Sequence, residues 1–181
     1  MIETERTDID GLLILTPKVF RDDRGYFFES YNTEVFAELG IRDAFLQDNE
    51  SFSSKNVLRG LHFQAPPFDQ GKLVRVVKGA VLDVAVDIRR RSPTYGRHVA
   101  VRLDATEKKM LWIPPGFAHG FLSLEDDTIF LYKCTHVYSK AAEGSVRWND
   151  PDLAIDWGVS DPVVSPKDGE AGFFRDLVSP F

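Results

Sequence analysis

The sequence has little of what marks a secreted, membrane-spanning or disulfide-bonded protein. Cys134 is the one cysteine among 181 residues. A single cysteine excludes an internal disulfide framework and a zinc site built from several thiolates, and it favours a protein of the reducing cytoplasm. No apolar run approaches the length of a membrane span. The run Leu12–Leu15 is short and lies among charged residues, so it does not fit a signal peptide either.

Basic residues are also fewer than acidic residues. The chain carries 22 Lys and Arg against 28 Asp and Glu, a formal net charge of -6 at pH 7. Because an acidic surface repels a polyanion, this balance argues against nucleic-acid binding. A small anionic ligand would have to be met by a few specific cationic side chains.

What is present fits one β-rich domain. Hydrophobic residues make up 43% of the chain, which suffices for a sizeable core, and no repeat, low-complexity segment or linker divides the sequence. We therefore expect a single domain over residues 1–181. Short β-rich runs alternate with turn signals, which is typical of a β-sandwich or barrel. The clearest helix is NTEVFAELG, with Asn32 or Thr33 as its N-cap and Gly40 at its end.

Two of these runs alternate with a period of two residues, so each predicted strand has two different faces. In the first run, Asp83 and Asp87 lie on the face opposite Leu82, Val84, Val86 and Ile88. Polar residues at alternating positions usually face solvent, so this pattern alone predicts that both aspartates are exposed. In the second run, Thr128–Tyr138, one face is a candidate pocket lining. This face carries Phe130, Tyr132, Cys134, His136 and Tyr138. The pattern alone nevertheless favours an exposed His136.

His62 is the first candidate site residue. It stands in RGLHFQ, with Arg59 and Gln64 beside it and Lys72 shortly after. Regular alternation places Arg59 and His62 on opposite faces of a strand. Both can therefore serve one site only if Gly60 makes the strand irregular.

His119 is the second candidate, in IPPGFAHGF, where two prolines and a glycine impose a tight turn. Its apolar neighbours are also compatible with a core histidine bonded to the backbone. The segment resembles the second cupin motif, Pro-x-Gly-x-x-His, and VLRGLHFQ occupies the place of the first. However, His62-Phe63-Gln64 stands where metal cupins have His-x-His, so a first-row metal would lack its usual ligands. The resemblance implies an all-β fold, the double-stranded β-helix or cupin jelly roll, with short peripheral helices and no metal.

Nine segments extend the resemblance over nearly the whole chain and make it specific. They occur in the order seen in the dTDP-4-dehydrorhamnose 3,5-epimerases, and they are DRGYFFESY, QDNESFSS, NVLRGLHFQ, GKLVRVVKGAVLDVAVDIR, SPTYG, LWIPPGFAHGF, LYKCTHVY, RWNDP and SPKD. Departures from that family are small. Phe63 stands where the family commonly has Tyr, and His136 where it commonly has Asp.

The resemblance implies an enzyme that inverts carbon-3 and carbon-5 of dTDP-4-dehydro-6-deoxy-D-glucose to give dTDP-4-dehydro-L-rhamnose. The ketone at carbon-4 makes the neighbouring protons removable through an enolate. The reaction therefore needs a base, an acid on the other face of the ring, and a group that stabilises charge on the ketone oxygen, and it needs no metal or redox cofactor. By resemblance the base is His62, its carboxylate partner is Asp168, the acid is Tyr132, and the cation near the ketone oxygen is Lys72.

The resemblance also implies residues that bind the nucleotide sugar. Arg59 and His119 are expected near the sugar and the diphosphate, and Tyr138 is expected to stack on thymine. The other implied contacts are Gln47 and Asn49 in the polar lining, Arg24 and Glu29 at the nucleotide, and Glu143 and Lys167. A homodimer is implied as well, in which the N-terminal segment of one subunit completes the pocket of the other.

Other functions stay open at this point. A metal-dependent cupin oxygenase or isomerase is disfavoured by the missing His-x-His pair. A non-catalytic sugar-binding cupin would not need a base and an acid facing each other, so His62 together with Tyr132 argues against it. Within the family, some relatives invert only one carbon or act on related dTDP-4-keto-6-deoxy sugars, and these motifs do not separate those cases.

Overall fold

The computed structural model describes residues 2–181, whose regular secondary structure is mostly β-strand. The first half contains β1 (Ile2–Arg6), β2 (Leu13–Pro17), β3 (Phe20–Asp22), β4 (Gly25–Phe27), α1 (Thr33–Glu38), β5 (Gln47–Ser53), β6 (Leu58–Gln64), β7 (Lys72–Lys78) and β8 (Ala80–Asp87). The second half contains β9 (His98–Asp104), β10 (Met110–Ile113), β11 (Phe117–Ser123), β12 (Thr128–Cys134), β13 (Glu143–Ser145), α2 (Pro166–Gly169) and a 3-10 helix (Phe174–Asp176).

The strands form two large antiparallel sheets and a separate hairpin. One sheet has six strands in the order β1, β2, β10, β7, β12, β5, and the other has five in the order β13, β6, β11, β8, β9. Among the described residues, strands β3 and β4 pair only with each other. From β5 to β8 and from β10 to β13 the chain switches sheets at every step, which is the connectivity of a jelly roll. The structure confirms the predicted all-β jelly roll with short peripheral helices.

Apolar side chains between the two sheets form the central core. Val74 and Phe130 of the six-stranded sheet belong to the same buried cluster as Val81 and Phe121 of the five-stranded sheet. The outer face of the five-stranded sheet is covered as well, because the C-terminal segment packs on it through residues such as Trp157. Strand β8 is therefore enclosed on both faces.

The prediction that Asp83 and Asp87 face solvent is wrong. Both are fully buried, since one face of β8 points toward the other sheet and the opposite face lies under the C-terminal segment. Each carboxylate has polar partners in place of water. Asp83 contacts His119, and Asp87 accepts hydrogen bonds from Arg89 and Ser92.

The predicted helix and the second alternating run are found with small changes. Helix α1 begins after Asn32, whose side-chain oxygen accepts hydrogen bonds from two backbone N–H groups of the first turn, so Asn32 is the N-cap. The run Thr128–Tyr138 is a strand only as far as Cys134, and His136 beyond it is partly exposed. Within residues 2–181, no helix is both long and apolar enough to cross a membrane.

Candidate active site

A cleft between the two sheets brings most of the predicted site residues together. Its inner part has a volume of about 410 Å³, and its lining includes Arg59, His62, Lys72, His119, Tyr132, Lys167 and Asp168. An adjoining part of about 360 Å³ is lined by residues that include Gln47, Asn49, Tyr138 and Glu143. His62, Lys72 and Tyr132 line both parts, so the two parts form one site.

An irregularity in β6 turns Arg59 and His62 toward the same cleft. Against β11, His62 pairs with His119 and Arg59 pairs with Phe121, so β6 has one residue more than β11 between these pairs. Gly60 has a φ of +136°, and a Cβ atom there would lie 2.5 Å from the backbone of β11. The condition set by the sequence is therefore met, because Gly60 makes the strand irregular and both side chains line the cleft.

His62 is paired with Asp168, which lies 106 residues further along the chain. Nε2 of His62 is 2.5 Å from Oδ1 of Asp168. Asp168 lies in the first turn of α2, where its backbone N–H donates to the hydroxyl of the N-cap Ser165. Burial alone would raise the pKa of Asp168, but the hydrogen bond and charge of His62, with the backbone N–H of Gly60, hold that pKa below its ordinary value. At neutral pH the charged carboxylate therefore fixes the orientation of the imidazole.

The opposite wall of the cleft belongs to the six-stranded sheet and carries Lys72 and Tyr132. Lys72 pairs with Cys134 across β7 and β12, and Tyr132 is the next residue on that face of β12. Burial lowers the pKa of Lys72, and nearby Cys134, Asp83 and Glu143 offset this only in part. Burial raises the pKa of Tyr132. The phenol therefore keeps its proton at neutral pH, and in these poorly solvated surroundings a charge on Lys72 acts strongly on nearby charge.

His119 lies beside His62 and forms a pair with a second carboxylate. Its Nε2 is 3.0 Å and 2.9 Å from the two oxygens of Asp83. Burial is the main reason that the pKa of His119 is lowered; Lys72 and His62 lower it further, and Asp83 opposes the shift. Sequence reasoning missed Asp83. The available signal was that Asp83 shares its strand face with Val81 and Ala85, because apolar neighbours are typical of a face that points into the protein.

A chain of polar contacts crosses one end of the cleft. The backbone N–H of Tyr138 donates to Oε1 of Gln47 at 2.7 Å, and its hydroxyl donates to Glu143 at 3.0 Å. Glu143 forms an ion pair with Lys167, and Gln47 donates to Asn49 at 3.0 Å. The residue Tyr138 remains 54% exposed. These predicted binding residues thus hold one another in place and leave the tyrosine ring accessible.

Arg24 and Glu29 lie outside the cleft of this single chain. The side chain of Arg24 is 90% exposed and bonds to Asp22, and Glu29 accepts a hydrogen bond from Asn32. Ser51, which sequence reasoning missed, lies inside: it lines the inner part, and its hydroxyl is buried without a hydrogen-bond partner within residues 2–181. The signal for Ser51 was its place in the segment QDNESFSS.

The fold is a cupin jelly roll, and its cleft presents an imidazole from one sheet and a phenol from the other. An imidazole that faces a phenol is typical of enzymes that move protons by general acid–base catalysis. A family model described as dTDP-4-dehydrorhamnose 3,5-epimerase matches residues 6–176. The chain belongs to the dTDP-4-dehydrorhamnose 3,5-epimerase family and is an isomerase.

Individual relatives are similar over almost their full length. The dTDP-4-dehydrorhamnose 3,5-epimerase of Salmonella typhimurium strain LT2 is 56% identical over 168 residues, which cover 92% of each chain. A crystal structure of the Legionella pneumophila Philadelphia 1 enzyme in complex with dTDP-4-keto-L-rhamnose has a TM-score of 0.94 at 48% identity and covers 98% of this chain and 95% of that one. A 3'-monoepimerase from Streptomyces bikiniensis, in complex with dTDP-quinovose, has a TM-score of 0.89 at 35% identity, with coverages of 93% and 86%.

Proposed function

We propose that this enzyme inverts carbon-3 and carbon-5 of dTDP-4-dehydro-6-deoxy-D-glucose and so forms dTDP-4-dehydro-L-rhamnose. The observation that carries the proposal is the placement of His62 on one wall of the cleft and Tyr132 on the other. Epimerisation removes a proton from one face of the sugar ring and returns one to the other face. A base and an acid on opposing sheets suit that requirement.

His62 is the proposed base. The charged Asp168 can only accept a hydrogen bond, so Nε2 of His62 carries the hydrogen that lies between them. Nδ1 is then left as the basic atom for the sugar. Asp168 also stabilises the imidazolium that forms when His62 takes the proton, as the carboxylate does in other histidine–carboxylate pairs.

Tyr132 is the proposed acid, and Lys72 is the proposed partner of the ketone oxygen. When the proton leaves the carbon, negative charge develops on that oxygen, and an ammonium group in a poorly solvated cleft stabilises it more strongly than one in water. The phenol of Tyr132 retains its proton at neutral pH and can deliver it to the enolate. The enolate is formed and consumed without a redox step, so we propose that the enzyme needs no metal or other cofactor.

The remaining site residues are proposed to bind the nucleotide sugar. Arg59 and Lys167 supply positive charge for the diphosphate in a protein whose net charge is negative. Tyr138 offers an exposed ring for stacking on thymine. The polar groups proposed to line the sugar and nucleotide pockets are His119, Gln47, Asn49 and Glu143.

Arg24 and Glu29 are proposed to reach the nucleotide of a partner subunit in a homodimer. The neighbouring hairpin, β3 with β4, pairs with neither large sheet within residues 2–181. It also exposes the large apolar side chains of Phe20 and Phe27, which a partner would cover. We further propose that residues 1–181 act as one domain in the cytoplasm, which the single, buried and free Cys134 supports.

Inversion of only one carbon is the second candidate, because the Streptomyces bikiniensis 3'-monoepimerase has a closely similar fold. The two are separated by incubating the purified enzyme with dTDP-4-dehydro-6-deoxy-D-glucose and determining the product by NMR. A product inverted at carbon-3 and carbon-5 supports the proposal, and a product inverted at one carbon supports the second candidate. Unchanged substrate would contradict both and favour a sugar-binding cupin without catalytic activity.

A further inference from the structure

Asp83 is a buried carboxylate whose side chain hydrogen-bonds only to His119 within residues 2–181. It is 0% exposed, and both of its oxygens lie within hydrogen-bonding distance of the same nitrogen. Burying a charged carboxylate costs free energy that several donors normally offset. Its compensation is one imidazole and the nearby charge of Lys72, and both line the cleft, which points to a role for this pair beyond stability.

The pair selects one tautomer of His119. A carboxylate can only accept, so the hydrogen of the imidazole lies on Nε2, toward Asp83. Burial, with the charge of Lys72, lowers the pKa of His119, so the ring is neutral at neutral pH. Nδ1 of a neutral ring with hydrogen on Nε2 has a free lone pair and accepts hydrogen bonds.

The free nitrogen belongs to a ring that lines the cleft. His119 lines the inner part of the cleft, beside His62 on the neighbouring strand. The hydrogen bonds formed within residues 2–181 include none at Nδ1, and this atom is not among the buried polar atoms that lack a partner. Nδ1 is therefore accessible from the cleft, where a bound ligand can donate a hydrogen bond to it.

We propose that Asp83 is a positioning residue, which holds His119 as the tautomer with hydrogen on Nε2 so that Nδ1 accepts a hydrogen bond from a hydroxyl group of the hexose. The proposal rests on the proposed function for the identity of the sugar. A diphosphate at neutral pH has few protons to donate, whereas the hexose of the proposed substrate has hydroxyl groups at carbon-2 and carbon-3. The two histidine–carboxylate pairs thereby have different tasks.

The difference between the pairs lies in their access to solvent. The side chain of His62 is 32% exposed and that of His119 is 7% exposed. His62 can exchange a proton with solvent between turnovers, as a base must. His119 is shielded from solvent and stays neutral, so its task is to accept a hydrogen bond from a hydroxyl group and not to carry a proton.

The first test observes the tautomer directly in the free enzyme. In protein labelled with 15N at histidine, NMR distinguishes a protonated ring nitrogen from a bare one, and the spectrum of His119→Gln assigns the signals. We expect hydrogen on Nε2 and a bare Nδ1 at neutral pH. In Asp83→Asn the amide can donate to Nε2, so part of the hydrogen should move to Nδ1. Hydrogen on Nδ1 in the wild-type enzyme would overturn the proposal.

The second test uses the natural substrate and two analogues, one lacking the 2-hydroxyl and the other lacking the 3-hydroxyl. Solvent deuterium exchange at carbon-5 measures kcat/KM for all three. Asp83→Asn should lower kcat/KM for the natural substrate by about ten- to a hundredfold, the usual effect of removing an orienting partner. It should have no effect on the analogue that lacks the hydroxyl bound by His119, so the analogue that does not respond identifies that hydroxyl. An equal loss on all three substrates would refute the proposal.

Asp87→Asn is the matched control, since Asp87 lies on the same face of the same strand and is equally buried. Its partners Arg89 and Ser92 lie outside the cleft lining, so all three kcat/KM values should stay unchanged.

If Asp83→Asn does not fold, the wild-type spectrum and the wild-type rates on the two analogues decide the proposal. A wild-type enzyme inactive on the natural substrate would instead refute the proposed function, and the spectrum would still decide the tautomer.

Discussion

Replacing Gly60 by alanine should both destabilise the protein and disturb the cleft. A Cβ atom at this position would lie 2.5 Å from Cα of Gly120 and 3.0 Å from the carbonyl oxygen of His119, and the φ of +136° is one that side chains disfavour. The backbone conformation costs about 1–3 kcal/mol, and the extra methyl group in packed surroundings costs about 1–3 kcal/mol more. We therefore expect the free energy of unfolding, measured by urea denaturation, to fall by about 2–6 kcal/mol.

Gly25→Ala separates the two contributions. Gly25 has a φ of +130°, close to that of Gly60, but no atom lies within 4 Å of its added Cβ. This variant should show the conformational cost alone, about 1–3 kcal/mol. Gly60→Ala should also lower kcat/KM through misplacement of Arg59 and His62, whereas Gly25→Ala serves as the control for stability alone. Equal losses of stability in the two variants would refute the close approach of β6 and β11.

Three further outcomes are expected. Activity should fall as pH rises through the lowered pKa of Lys72, because the ammonium group then loses its charge; a kcat that stays constant up to the ordinary lysine value of about 10.4 would contradict this role. The raised pKa of Tyr132 keeps the phenol from causing this loss first. Dialysis against EDTA should leave kcat unchanged, and bound metal with loss of turnover on chelation would revive the metal-dependent alternative. Light scattering should show a dimer, and a fully active monomer at low concentration would refute the shared site.

The local features of this fold could be predicted from short stretches of sequence. The cap of α1 at Asn32 and the β-rich runs depend on neighbours a few residues apart, and the motifs around His62 and His119 indicated the jelly roll. The pairing of His62 with Asp168 was accessible only through the family resemblance. Spacing cannot show it, because 106 residues separate the two.

The errors arose where burial depends on distant parts of the chain. Alternation in β8 correctly separates two faces, but it cannot reveal that the C-terminal segment around Trp157 covers one of them while the other sheet covers the second. Asp83 and Asp87 were therefore predicted on a solvent face. The sequence predicted that an irregular strand at Gly60 would bring the two neighbouring candidate side chains to one site. Only the register of β6 against β11 shows that the strand is irregular there.

Incorporation of solvent deuterium tests the central claim, that His62 removes the proton and Tyr132 returns one from the other wall. In deuterated water the wild-type enzyme should place deuterium at the epimerised carbons. His62→Asn should lose this exchange by about a hundredfold or more, because no other base is proposed. Tyr132→Phe keeps the base and should retain some exchange while product formation falls by a similar factor. Exchange and epimerisation by His62→Asn at the wild-type rate would contradict the account and require a different base in the cleft.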